Sequence, residues 1–291
     1  MTKLLVVTAA LLGMSTAAGA SDLPAMEMAP SAYAPVASAF DWTGFYAGVH
    51  AGASFHDQRV ERGVIEGSVF PEFDHPVDLS EVFDLLFPPE LGSADGVGFM
   101  GGVQAGYNQQ FGSFVLGIEA DISRLGNEAA EYSATYEHDH FHVDSGDATL
   151  MTDLTIGHSM DWLGTTRLRA GLAVENLMVF GTAGLAFGNP TNSVNFDAEI
   201  DVVGNGGVIN QPLVDAHSFS GSSSGMKMGW AAGAGAEYAI TESVSIKAEY
   251  VYYDLGDTTV AATSSDAPDF SAEYTFKNVG QAARIGLNYR F

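Results

Sequence analysis

From Trp42 to Phe291 the chain alternates apolar residues with small or polar ones at a spacing of two. That spacing puts neighbouring side chains on opposite faces of a β-strand. The first such segment, 42–57, sets Phe45, Val49 and Phe55 against Tyr46, His50 and Ser54. Segments at 97–110, 114–124 and 161–175 follow; in the last of them Leu168 and Leu172 oppose Arg167 and Arg169. The segment 177–188 is nearly all apolar and has no clear phase, whereas 226–240, 244–254 and 276–291 alternate cleanly again.

The links between these segments are long at 58–96, 125–160, 189–225 and 255–275, and short near Phe111, Asn176 and Ile240. Long outer loops alternating with short inner turns are the rhythm of a membrane barrel. A closed ring also leaves no backbone edge unpaired in lipid. The pattern therefore predicts an all-β fold: a closed antiparallel transmembrane β-barrel of eight strands over 41–291, with both termini on the periplasmic side. The third long link carries a further alternation, Val194, Phe196, Ala198, Ile200 and Val202, before the turn signal Gly204-Asn205-Gly206-Gly207. It reads as a hairpin above the membrane or, if it lies in the bilayer, as the source of a ten-stranded alternative.

The first residues place the chain in an exported compartment. Lys3, the apolar run from Leu4 to Leu12 and the small residues Ala18-Gly19-Ala20 have the order of a cleavable signal peptide, 1–20. The run is too short for a membrane helix, which needs about 20 apolar residues. Residues 21–40, rich in Ala, Pro and Ser, read as a flexible periplasmic leader. The absence of cysteine excludes a lipoprotein and a disulfide scaffold. Aromatic residues gather at the segment ends as expected at headgroup level, with Trp42 and Tyr238 in an inner belt and Trp162, Trp230 and Tyr252 in an outer one.

The opening motif Trp42-Thr43-Gly44-Phe45-Tyr46-Ala47-Gly48 and the terminal strand resemble those of the small opacity-type outer-membrane β-barrels, or porin-family proteins, of alphaproteobacteria. Gly286, Tyr289 and Phe291 match the barrel-assembly signal of such chains, which the assembly machinery binds by strand addition. The resemblance implies a Gram-negative cell outer membrane as the location. Its implied partners are outer-membrane lipid and lipopolysaccharide, the barrel-assembly machinery, and host or environmental ligands. It implies a structural and surface-interaction role in the envelope, and no shared reaction.

Charge refines this picture. The formal net charge is −25, nearly all of it in the four long links, which excludes a nucleic-acid partner. Such loops could hold divalent cations weakly; no other cofactor is expected. Alternation places Glu119, Asp121, Glu175, Glu237 and Glu249 in the lumen with Arg167, Arg169, Lys247, Arg284 and Arg290. In an interior just wide enough for side chains, these form either a hydrogen-bonded plug or the lining of a narrow porin-like channel for ions or small solutes. His138, His140 and His142 stand two apart, and in a regular extended segment would share a face able to bind zinc or copper. No phosphate loop or nucleophile elbow occurs, and Asp215, His217 and Ser222–Ser224 form a catalytic set only on paper, so an enzyme is not expected.

Overall fold

A computed structural model describes residues 40–66, 90–126, 130–143, 146–204, 214–263 and 271–291. The signal peptide, the leader except Phe40 and the turn at 205–207 lie outside the described residues. The strands are β1 (Gly44–Glu66), β2 (Glu90–Phe111), β3 (Phe114–Gly126), β4 (Ala130–Val143), β5 (Gly146–Val174), β6 (Leu177–Gly204), β7 (Val214–Ser224), β8 (Lys227–Ala239), β9 (Val244–Thr263) and β10 (Ser271–Arg290). Eight of them form a hydrogen-bonded antiparallel ring in the order β1-β2-β3-β5-β6-β8-β9-β10, and β10 pairs back onto β1.

The other two strands do not widen this ring. β3 pairs with β5 as far as Arg124↔Trp162, and β4 takes over the same edge of β5 from Ala130↔His158. Likewise β7 follows β6 to Thr191↔Ser224, and β8 continues along that edge from Gly188↔Lys227. Each is the outer half of an interrupted strand, so the count stays at eight. The described parts of the long links expected as loops are therefore mostly wall: β1, β2, β5, β6, β9 and β10 run on beyond the bilayer. The alternation at Val194–Val202 is the outer half of β6.

The two halves of the wall have opposite polarity. In the lower half Phe45, Ile118, Leu168, Leu185, Ile246 and Ile285 face outward and are exposed, while Glu119, Arg167, Lys247 and Arg284 face inward and are buried. This is the arrangement for a wall with lipid outside. In the upper half Leu154, Ile156, Val194, Phe196, Phe219, Val260, Tyr274 and Phe276 are buried inside. Ser193, Asn195, Asp197, Ser220, Thr259 and Glu273 alternate with them on the outside. This is the pattern of a barrel in water, with burial of apolar area as its driving force.

Bulges mark the boundary. On β5 the register shifts between Met160 and Leu163, where β5 has one more residue than β6. Asn189 Oδ1 accepts from the N–H groups of Asp161 and Trp162, each at 3.2 Å, so the amides displaced from the ladder stay satisfied. On β9 the extra residue lies at Gly256, whose φ of +76° favours glycine. On both strands the inward residues carry odd numbers below the bulge and even numbers above it.

Candidate functional site: the charged core of the barrel

Four bases and four acids meet inside the lower half. Arg167 on β5 donates to Glu119 at 3.0 Å and Asp121 at 3.0 Å on β3, and to Glu249 on β9 at 2.6 Å. Arg284 on β10 makes a two-pronged contact with Asp121, at 2.9 and 3.0 Å, and reaches Glu249 at 2.8 Å. Lys247 lies 2.9 Å from Glu119 and 3.3 Å from Glu249. Arg169 pairs with Glu237 on β8, and its guanidinium stacks 3.8 Å from the Phe180 ring.

Neutral groups extend the network to the remaining strands. Tyr46 on β1 donates to Glu119 at 2.7 Å, and Thr182 on β6 accepts from Arg167 at 2.9 Å. Gln104 on β2 donates to Asn288 at 2.6 Å, which donates to Glu237 at 2.8 Å. All eight ring strands thus contribute a side chain. Tyr46 leans over its register partner Gly106 of β2 to reach Glu119, and any Cβ on Gly106 would collide with its ring. Each charged group here is almost fully withdrawn from water, and only multiple partners make that tolerable.

Apolar layers close the network above and below. At the periplasmic end Trp42, Val115, Ala173, Met178, Phe180 and Ala239 form a plug, with Phe40 packed on it. Toward the outside Met100, Leu125, Met160, Leu163, Tyr253 and Leu255 belong to a second buried layer. Above that runs a short polar chain. His158 Nδ1 lies 2.7 Å from Asn192, which donates to Asn278 at 3.2 Å, and Asn278 donates to Thr258 at 2.9 Å.

Two of the ten charges expected in the lumen stand elsewhere. Glu175 is exposed at the tight turn between β5 and β6, with φ of 54°, because the strand ends at Val174. Arg290 is only half-buried at the periplasmic rim, where it donates to the Glu242 carbonyl at 2.7 Å and stacks 4.3 Å from Phe40. Nearby, the Asp41 carboxylate accepts from the Thr43 N–H at 2.9 Å, and that bond holds its pKa below the ordinary carboxylate value. Trp42, expected in the inner belt, is instead inside the barrel, because the chain bends into the mouth before β1 begins. Trp230 and Tyr238 face outward, each 50% exposed, and Trp230 packs on Tyr252 with ring centroids 5.3 Å apart. Trp162 is half-exposed at the β5 bulge.

In the assembly-signal strand, Gly286 faces inward between β1 and β9, and Tyr289 and Phe291 are exposed. His138, His140 and His142 fall on β4, whose register shifts between Asp139 and Phe141; their side chains lie outside the described ones. The side chains of Asp215 and His217 also lie outside them. Among the described residues no set of three His, Cys, Asp or Glu is placed to hold a metal ion.

Over residues 7–291 the chain matches the outer membrane protein β-barrel domain. It belongs to the outer-membrane β-barrel protein family. A 31 kDa outer-membrane immunogenic protein of Brucella melitensis biotype 1 is 33% identical to this barrel over 285 residues, covering 95% of each chain. A 22 kDa outer membrane protein of Rhizobium leguminosarum bv. viciae is 25% identical over 67% of each chain. The outer membrane protein OprG of Pseudomonas aeruginosa overlays with 11% identity and a TM-score of 0.39, covering 87% of this chain and 98% of that one. Family and relatives place this barrel in the cell outer membrane.

Proposed function

We propose that the protein is a sealed structural barrel that anchors a folded, acidic surface module on the cell and has a structural and surface-contact role, with no reaction of its own. The observation behind this reading is the layering of the lumen: a network of paired charges lies between two apolar layers. An ion would have to displace Arg or Lys from several carboxylates and then cross Met, Leu and Tyr side chains. Both steps oppose conduction. The upper half supplies the contact surface, since its strands are held by a core of their own and present polar side chains outward.

Planar-bilayer recording of the refolded full chain tests this directly. A membrane without discrete conductance steps is the expected result. Steps that persist across preparations would replace the sealed barrel with the narrow channel for ions or small solutes. Steps that appear only in Arg284→Ala, which strips Asp121 and Glu249 of a shared partner, would identify the network as the seal.

A further inference from the structure

In the bilayer β3 fills the place between β2 and β5, and its outermost pairs are Phe99↔Gly126 and Arg124↔Trp162. Above it β4 takes over the edge of β5, but β2 from Gly98 up to Glu90 pairs with β1 alone. β4 and β2 approach one another, and among the described residues no ladder joins them. The other junction of the upper wall is joined: β7 pairs with β9 at Ser220↔Thr263, and a Cβ on Gly221 would collide with the Ala261 carbonyl. The ring is therefore closed where lipid surrounds it and has a seam between β2 and β4 where water does. Free strand edges are excluded from hydrocarbon and permitted outside it.

The two edges of the seam differ. On β2 the register against β1 shifts between Arg59 and Val60, with Gly92 as the extra residue, and Gly96 and Gly98 follow. A bulge and glycines blunt that edge. β4 instead pairs with β5 without a shift from Ala130 to Asp139, and its whole length contains no Gly, Pro or Lys. Such an edge offers a regular run of backbone N–H and C=O groups to an incoming strand.

The surroundings of β4 fix the chemistry of what that edge can take. No lysine or arginine occurs between Arg62 and Arg124, between Arg124 and Arg167, or between Arg169 and Lys227, so β2, β4, β7 and the outer halves of β5 and β6 hold none. β4 itself contains Glu131, Glu137 and Asp139. Beside it Asp153 of β5 and Asp197 of β6 are register partners, both exposed on the outer face. Like charges directly opposite one another are unfavourable, and a cation brought from outside relieves them. A second copy of the chain would bring the same carboxylates to this edge, which opposes self-pairing. On the inner face the neighbouring side chains of β5 are Leu154 and Ile156, both buried.

We propose that the free edge of β4 binds an extended peptide segment of alternating basic and apolar residues as an added β-strand. Main-chain hydrogen bonds to β4 hold the segment, and the period of two sends its basic residues to the acidic outer face and its apolar ones to the inner face. This names a partner for the surface-contact role proposed above and rests on that reading.

The test uses the full chain folded in dodecylmaltoside micelles and a fluorescent octapeptide of alternating Lys and Val, with affinity read by anisotropy and the site by hydrogen exchange. The peptide is expected to bind and to slow exchange across Ala130–Asp139 of β4. An octapeptide of alternating Lys and Pro has the same charge but lacks every second backbone N–H, and should bind at least about tenfold more weakly. Thr135→Lys, at an exposed position of β4, should weaken the Lys-Val peptide about tenfold by like-charge repulsion. Heat-modified electrophoretic migration checks that the variant folds, and Ser133→Lys, also exposed, repeats the test if it does not. Equal binding of the Lys-Pro peptide, slowed exchange elsewhere than β4, or unchanged binding in a folded lysine variant overturns the proposal. So does a dimer of the chain that pairs through β4 without peptide. The sealed lumen is judged separately by conductance, so a silent bilayer with no peptide binding removes this partner and leaves the sealed barrel standing.

Discussion

Leu168 and Leu154 lie on the same strand, yet one is 68% exposed and the other is completely buried. Below the β5 bulge the wall must satisfy hydrocarbon on its outside, so leucine faces out and arginine faces in. Above it the wall must satisfy water, so leucine faces in and Ser, Thr and Asp face out. One continuous sheet obeys two solvents, and the energetics change accordingly. The lower half has little to gain from apolar contact with lipid that any leucine would not gain elsewhere, so its uniqueness rests on the polar network. The upper half is held by the hydrophobic effect, as a soluble domain is.

The contrast breaks most sharply at Arg167. Arg167→Ala would leave Glu119, Asp121 and Glu249 short of a shared partner, with an expected loss of about 3–5 kcal/mol in urea unfolding from lipid vesicles. A loss below about 1 kcal/mol would mean that water and the remaining bases replace it, and that the lower half does not depend on the network. In the upper half the corresponding change is Phe196→Ala, which opens the stack on Phe219, whose ring centroid is 5.3 Å away. About 3 kcal/mol is expected there. Hydrogen exchange should locate that loss in the outer parts of β6 and β7, with the membrane half still protected. The smallest test compares one substitution in both solvents. Leu168→Lys, near the middle of the bilayer, should cost about 2–4 kcal/mol. Thr155→Lys, on the outer face of the upper half, should stay within about 0.5 kcal/mol. Equal costs in vesicle unfolding would erase the boundary drawn between them.

The lower half was legible from sequence because its alternation is regular and its charges fall on a single face. Glu119, Asp121, Arg167, Arg169, Glu237, Lys247, Glu249 and Arg284 all stand where a period of two puts them. Glu175 and Arg290 followed the same period past the ends of the strands, where it no longer applies. The upper half was not read as wall, although Leu154, Ile156 and Met160 alternate with Thr155, Gly157 and Ser159 in plain view. Two physical reasons account for this. The polarity there is that of a soluble barrel, so a search for a lipid-facing stripe passes over it. The bulges at Asp161–Trp162 and Gly256 also shift the period by one, so no single phase runs the length of β5 or β9. Trp42 carried no signal at all, since its fate depends on a bend of the chain into the barrel mouth rather than on strand phase.

The bulge at Asp161 and Trp162 works like a reading frame written in space. A single extra residue there decides which face the outer half of the strand presents relative to the membrane half. Removing Asp161 would leave the composition of the outer half of β5 almost untouched and yet reverse its meaning, sending Leu154 and Ile156 to the water and Thr155 to the interior. An insertion or deletion of two residues in the same place would keep the sense of the strand. Length changes at this bulge therefore keep the faces of the strand when made by pairs and exchange them when made singly.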